Sequence, residues 1–328
     1  MQALHTDFTI ATPAFPDNGR TVFKGYLFVG DVLLNESGMQ HHPLTPMTDA
    51  NLVRVMQAQC KGQVGLIDHR TVAQGPQAIQ QRISELKAQG IAIAVVDAVS
   101  NDDLLRLGPA LQNMPLVTAG SGVAIGLPAN FGLSPTPQAS VLPKALGLQA
   151  VVSGSCSQAT NRQVAHFKHT GRPALAIDPL ALANSTSQRA DVVAQALQWA
   201  QPHLSSGPVL VYSTATPEEV KAVQNKLGVE AAGALVEKTI AAIAKGLVDS
   251  GVQQLVVAGG ETSGACVQAL NITQLQIGPQ IDPGVPWCHA HTNTHTKEYT
   301  TASAIHLTLK SGNFGTDDFF TKAFEQLQ

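Results

Sequence analysis

Short runs of consecutive apolar residues alternate along this chain with longer stretches whose apolar positions recur every three or four residues. The runs Phe8–Ala11, Val64–Ile67, Ile91–Val96 and Pro115–Thr118 predict buried strands. Between them, Asp49–Gln59 and Gln77–Gln89 predict helices, and Gly90 stands where a glycine commonly ends one. A boundary follows: Asn130–Lys144 carries three prolines and several small polar residues, and reads as a linker. The alternation then resumes with strands at Ala150–Val152, Leu175–Ile177, Val209–Tyr212 and Gln254–Val257. Helices are expected from Gln158, over Ala190–Gln201, over Glu218–Leu227 and over Ala231–Ser250. Strands alternating with helices predict an α/β fold of two domains, each a mostly parallel sheet flanked by helices. The expected division is 1–130, a linker 131–148, and 149–328. One feature is odd: Phe8–Ala11 reads as an interior strand, yet little chain precedes it.

Composition narrows the function classes. The chain has 328 residues, 44% of them hydrophobic, and a mean hydropathy of +0.07, enough apolar material to exclude a disordered chain. Charged residues are only 13%, against a usual share of about 25%. The net charge of −3 and pI near 6.4 offer no basic field for a nucleic-acid backbone. Cys60, Cys156, Cys266 and Cys288 form no C-x-x-C pair and are expected as reduced thiols. MQALHTDFTI has neither a basic nor an apolar leader segment, and no 18-residue apolar window occurs. A soluble, cytoplasmic protein with no membrane partner is the expectation.

Candidate chemistry sits at three strand–turn–helix corners: Val117–Gly122, Val151–Ser157 and Val256–Gly264. Each places glycines and hydroxyls where a helix begins, and the N–H groups of a helix start favour an anion such as phosphate. Glycine-rich turns also end many parallel strands that bind nothing, and neither a Walker A nor a G-x-G-x-x-G match is present. Farther on, Ile277–Trp287 reads as a rigid loop around Asp282, with prolines on both sides and Gly284 permitting a sharp turn. Asp282 is either a substrate or metal-water carboxylate or a surface residue of a connecting loop. Ile305–Leu309 alternates like a strand, Ser311–Gly315 turns, and Asp317–Leu327 predicts a last helix.

The runs AGGETSGACVQAL, IGPQIDPGVPW and LKSGNFGTDDFF, in that order, resemble the four-carbon acid-sugar kinase family. PAFPDNGRTVFKGYLFVGDVLL and HPLTPMTDANL look like its 3-oxo-tetronate kinase branch. The resemblance covers nearly the whole chain. It implies an N-terminal domain for the acid sugar, a C-terminal domain for ATP, and transfer of the γ-phosphoryl group to a terminal hydroxyl with Mg²⁺. It implies nucleotide contacts at Ser157, Gly259, Gly260, Glu261, Thr262, Gly312, Asn313 and Gly315. Asp282 is the candidate for a Mg²⁺-bound water. For the sugar carboxylate, Arg20 is a candidate bidentate partner beside Gly19, with Gly120 and Ser121 near it and Lys24 and His42 as weaker candidates. A homodimer is a further expectation.

The chain also departs from that pattern. The family's opening Asp-Asp-x-Thr-Gly-Ala motif and its Lys-x-Asp-Ser-Thr-type segment do not occur. Met1 falls inside the first domain of the chains it resembles, so roughly a hundred residues, comparable to half a typical domain, are expected to be absent. A chain with an incomplete first domain, which keeps nucleotide binding and loses most turnover, follows as an expectation. The alternative function is thus an ATP-binding but catalytically silent fragment or sensor; a Rossmann-type oxidoreductase is disfavoured by the missing fingerprint. Cys288–His295, with three histidines, admits a zinc reading, but a polar hairpin tip explains it more simply. Tyr212–Pro217 is a further polar strand-end turn.

Overall fold

The computed structural model describes residues 1–41, 45–179, 186–215, 217–295 and 300–327. The chain divides into two compact units, Met1–Pro135 and Thr136–Gln328.

The first unit runs β1 (Thr9–Thr12), β2 (Arg20–Phe23), β3 (Tyr26–Val29), β4 (Val32–Leu33), α1 (Leu52–Gln57), β5 (Gln63–Ile67), α2 (His69–Ala73), α3 (Pro76–Ala88), β6 (Ile91–Val96), α4 (Asn101–Ala110) and β7 (Thr118–Ala119). Its sheet has the order β5-β6-β1-β7, all parallel. β1 is interior, as its unbroken apolar run predicts: all four residues are buried and strands pair on both sides. Ile10, Ile67, Leu104 and Leu107 are fully buried in the core. With its own core and a hydrogen-bonded sheet, the unit does not confirm the expectation of an incomplete domain.

Two details differ from the sequence pattern. Pro115–Thr118 yields only the two-residue edge strand β7, and the helix expected over Asp49–Gln59 shrinks to α1, begun by Asn51, whose side chain accepts the Arg54 N–H at 3.0 Å. An antiparallel meander, β2-β3-β4, was not legible because its strands are only two to four residues long. A Val22–Ala98 bridge fastens it to the segment leaving β6, at the carboxyl edge of the sheet.

The second unit runs β8 (Leu148–Ser153), α5 (Gln158–His169), β9 (Ala174–Ala176), α6 (Thr186–Leu204), β10 (Val209–Tyr212), α7 (Pro217–Leu227), α8 (Val229–Asp249), β11 (Val252–Ala258), α9 (Gly260–Ala269), β12 (Gln276–Asp282), β13 (Val285–His295), β14 (Thr300–Lys310) and α10 (Phe319–Glu325). The sheet order is β12-β13-β14-β11-β8-β10-β9. The five strands from β14 to β9 are parallel, and β12 and β13 are antiparallel additions. α6, α8 and α9 cover one face through Ala196, Ile240, Leu247 and Cys266. On the other face Phe167 of α5 and Phe319, Phe320 and Phe324 of α10 pack on Val151, Val256 and Trp287. The Trp287 indole N–H donates to the Ala323 carbonyl at 2.8 Å and so anchors α10.

Here too the fold corrects the sequence. Ile277–Trp287 is not a loop but the β12–β13 hairpin, turned at Gly284 with φ 77°. The prolines are tolerated because Pro279 lies on the edge strand β12, where a missing N–H breaks no interior ladder, Pro283 opens the turn, and Pro286 precedes the stretch of β13 that pairs with β14. Nor is all of 131–148 a linker. From Thr136 on the segment belongs to the second unit: the Gln276, His306 and Gln254 side chains bond the carbonyls of Val141, Pro143 and Leu146. Cys288–His295 lies along β13, paired with β14 from Cys288↔Leu307 to His295↔Thr300. The His289 ring stands 5.2 Å from that of His291 and 5.0 Å from that of His306, and among the described residues no group of three side chains is arranged to hold a metal. The four cysteines are free.

Candidate functional site

In the second unit β8, β11 and β14 are parallel neighbours, so their exits emerge side by side. Two of the sequence-predicted corners, Gly154–Ser157 and Gly259–Thr262, therefore meet a third strand exit, the predicted turn Ser311–Gly315. Ser157 caps α5, its hydroxyl accepting the Thr160 N–H at 3.2 Å, as a serine before a helix does. Gly259 caps α9 with φ 127°, a conformation that favours glycine, and a Cβ there would stand 2.7 Å from the Thr262 hydroxyl and 3.3 Å from the Ser155 nitrogen. Its N–H donates to the Lys310 carbonyl at 2.9 Å, joining the second corner to the third. Gly260 and Glu261 are exposed at the start of α9 and Thr262 is buried beneath them. Among the described residues the Ser213 and Ser263 hydroxyls are buried without a partner, so this end of the sheet has polar capacity to spare.

The third corner is held from below. The Gly312 carbonyl accepts from the Ser157 hydroxyl at 2.5 Å, lies 2.9 Å from the Thr160 hydroxyl, and accepts from the Lys310 ammonium at 3.1 Å. The Gln163 amide donates to the carbonyls of Phe314, Gly315 and Thr316 at 3.0, 3.1 and 3.1 Å. The Asn161 amide reaches the carbonyls of Cys156, Ser157 and Ala215, tying the turn after β10 to the same corner. Gly312, Asn313 and Gly315 are thus brought beside Ser157. Asp282 is placed elsewhere in the network. One oxygen accepts from Lys322 at 2.6 Å; the other accepts from the Thr316 N–H at 2.8 Å and its hydroxyl at 3.1 Å.

Sequence reasoning missed Thr160, Gln163 and above all Lys310. Lys310 is fully buried, and that burial pulls its pKa down to about 7. In sequence it is only the lysine that follows the apolar alternation of Ile305–Leu309, one residue before a glycine-containing turn. Cys156 and Cys266 offer no competing nucleophile, since burial raises both thiols, Cys266 to about 12.

In the first unit the sequence candidates gather where β1 and β7 end. Gly120 packs against Pro13, 3.3 Å from its carbonyl if a Cβ were added, and Gly122 is pressed onto Ala14 and Phe15. Phe15 in turn bridges Arg20, whose guanidinium donates to the Asn18 carbonyl at 2.8 Å and is partly desolvated, lowering its pKa. Gly19 takes the left-handed turn, φ 65°, between them; Gly120 and Ser121 are exposed. Lys24 is exposed, its ammonium 5.7 Å over the Phe23 ring; His42 lies outside the described residues. At the ends of β5 and β6 stand Asp68, His69, Asp97 and Asp103, which sequence reasoning did not single out. Asp97 is fully buried and accepts the backbone N–H groups of Lys24, Gly25 and His69. The His69 ring lies 3.5 Å from Asp103 and edge-on to Phe23.

Comparison with known proteins fits this division of labour. The profile of a sugar-binding N-terminal domain matches residues 1–127 and that of a nucleotide-binding C-terminal domain matches residues 150–320. Sugar-binding and nucleotide-binding domains joined in one chain define a small-molecule kinase architecture. Within that class, the chain belongs to the four-carbon acid-sugar kinase family. It is 54% identical to the 3-oxo-tetronate kinase of Pseudomonas fluorescens, with all of this chain and 73% of that protein aligned. It is 56% identical to that of Burkholderia multivorans, over 98% of this chain and 72% of the relative. Among solved structures, a Salmonella typhimurium LT2 protein superposes with a TM-score of 0.75 at 41% identity, covering all of this chain and 75% of the other. Haemophilus influenzae HI1011 gives a TM-score of 0.63 at 43% identity, covering 100% and 76%.

Proposed function

We propose that this chain is an ATP-dependent kinase that phosphorylates the terminal hydroxyl of a four-carbon sugar acid, turning 3-oxo-tetronate into 3-oxo-tetronate 4-phosphate. The observation that carries the proposal is the convergence of three strand exits in the second unit, two of them opening into helices α5 and α9. N–H groups at two helix starts, with the hydroxyls of Ser157 and Thr262, suit the phosphates of ATP. Gly259, Gly260, Gly312, Asn313 and Gly315 supply close backbone approach. Glu261, a carboxylate, suits a ribose hydroxyl or a metal-bound water better than a phosphate oxygen. Phosphoryl transfer asks mainly for positioning and charge neutralisation, which such a cradle provides.

Mg²⁺ enters this reading with the nucleotide, as Mg·ATP, since Mg²⁺ keeps waters and takes few protein carboxylates. Asp282 is assigned to holding Thr316 and Lys322, because both of its oxygens are engaged there. In the first unit Arg20, whose planar guanidinium stays charged despite partial burial, is the proposed partner of the sugar carboxylate, with Gly19, Gly120 and Ser121 beside the same strand exits. Support for the substrate comes from the names of the relatives aligned above.

The test is ADP release from Mg·ATP with and without 3-oxo-tetronate, alongside thermal melting with Mg·ADP. Turnover that depends on the sugar acid is expected. Stabilisation by ADP, about 2.7 kcal/mol at a hundredfold excess over Kd, without any sugar-dependent turnover would favour the silent nucleotide-binding alternative instead.

A further inference from the structure

Lys310 is a lysine with no place in an ordinary core. It has no solvent exposure, sits at the end of a strand flanked by β11 and β13, and among the described residues no carboxylate pairs with it. Among the described residues its ammonium donates only to neutral oxygens: the Thr160 hydroxyl at 3.1 Å, the Ser311 carbonyl at 3.0 Å and the Gly312 carbonyl at 3.1 Å. A methionine would fill nearly the same space without the desolvation cost. The charge therefore does little for the fold that a cheaper side chain could not do.

What it does touch is the meeting point of all three corners. Its own carbonyl receives the N–H of Gly259, the cap of α9. Its ammonium reaches Thr160 in the first turn of α5 and the two carbonyls that open the Ser311–Gly315 turn. In a planar trans peptide the carbonyl and the following N–H point in opposite directions. Drawing the Gly312 carbonyl inward thus aims the Asn313 N–H to the other side of the turn.

We propose that Lys310 is a positioning residue of the nucleotide site: its buried ammonium clamps the Ser311–Gly315 turn onto the start of α5 and supplies, from behind, a positive charge to the nucleotide's phosphates. The inference rests on the nucleotide reading above. A polyanion arriving at this cradle offsets the burial of the ammonium, so binding of the nucleotide and protonation of Lys310 favour each other. Among the described residues the packed elements bring no rival charge to it. α5 contributes Thr160, and its Arg162 pairs with Asp317 of the following loop at 2.8 Å. Glu261 opens α9 at the surface, and the carboxyl of Glu237 on α8 is raised by partial burial and further by Glu261. Lys322 of α10 pairs with Asp282 and Asp318.

The experiment is ADP binding by calorimetry on the full chain and on Lys310→Met, at several pH values from 7.5 to 9, above the titration of the nucleotide's own phosphate, with melting of each protein alongside. The wild type should bind ADP with net proton uptake and lose affinity several-fold across that range. Lys310→Met should melt within a few degrees of the wild type, bind ADP at least tenfold more weakly, and show a flat pH profile. Equal affinity and an equal pH profile in Lys310→Met would overturn the role of Lys310 and leave the nucleotide site standing. A wild type that binds no ADP would overturn both. If Lys310→Met does not fold, Lys310→Gln replaces it. If neither folds, proton uptake by the wild type, compared in buffers of different ionisation enthalpy, decides alone, its absence counting against the proposal.

Discussion

Each unit buries a charged side chain at the carboxyl edge of its parallel sheet with no opposite charge paired to it among the described residues, and the two are satisfied in opposite ways. Asp97, just past β6, accepts three backbone N–H groups at 2.7, 2.8 and 2.9 Å. Two belong to the Lys24–Gly25 turn, where both residues have positive φ, and the third opens α2. Burial pushes the Asp97 carboxyl upward while these three bonds oppose it. Lys310, ending β14, finds only a hydroxyl and two carbonyls, and burial pulls it down to about 7. Fixed N–H donors make Asp97 a staple that needs no ligand. Neutral acceptors leave Lys310 short of compensation, in the unit where an anionic ligand is expected to supply it.

The largest expected effect tests the staple. Asp97→Ala would leave three N–H groups without their acceptor, two of them in a turn whose backbone is already left-handed. At about 1 to 3 kcal/mol for each buried donor left unpaired, a loss of about 3 kcal/mol or more is expected in urea unfolding of the chain. A loss below about 1 kcal/mol would break the contrast, because Asp97 would then be as dispensable to the fold as Lys310 is argued to be.

A second measurement sharpens the other half. Lys310 titrates near 7 in the fold and near 10.4 in an unfolded chain. Between those values the unfolded state binds more protons, so stability rises with pH; below 7 the full cost of burying the ammonium is present. From pH 7 to 8.5 the ligand-free protein should gain on the order of 1 kcal/mol, and Lys310→Met should abolish the gain. Above about 8.5 the buried thiols oppose this rise: Cys266, held protonated by burial to about 12, offsets most of the Lys310 slope once an unfolded thiol ionises, and Cys156 and Cys288, also raised by burial, act in the same direction. A ligand-free protein whose stability is level from pH 7 to 8.5 would mean that the cradle already compensates Lys310 without a nucleotide.

The same contrast explains what could be read from the sequence. The interior strands and the start of α5 at Gln158 were legible because unbroken apolar runs and a Ser cap are local signals. The glycines and hydroxyls of the corners were legible for the same reason. The hairpin β12–β13 was not, since its three prolines argue against a strand unless it is known to lie at an edge. Asp97 and Lys310 were not, because their partners lie up to 73 and 150 residues away in the chain. A carboxylate satisfied by a distant turn and a lysine satisfied by a distant helix look, in sequence, like any charged residue after a strand.

The smallest expected effect divides the clamp between its donors. Ser157→Ala removes the cap of α5, for about 1 kcal/mol of stability, and one of the donors on the Gly312 carbonyl. Alone it should weaken ADP binding only a few-fold, because Thr160 and Lys310 still hold that carbonyl. Combined with Lys310→Met it should cost more than the sum of the two single changes, since each single variant leaves the other donor to fix the same peptide plane. Residues acting through one shared acceptor couple by about 0.5 kcal/mol or more, whereas independent sites add within that figure. A double-mutant cycle on ADP affinity reads the difference. Strict additivity would mean that Lys310 acts by its charge alone and that the orientation of the Gly312 peptide is set elsewhere.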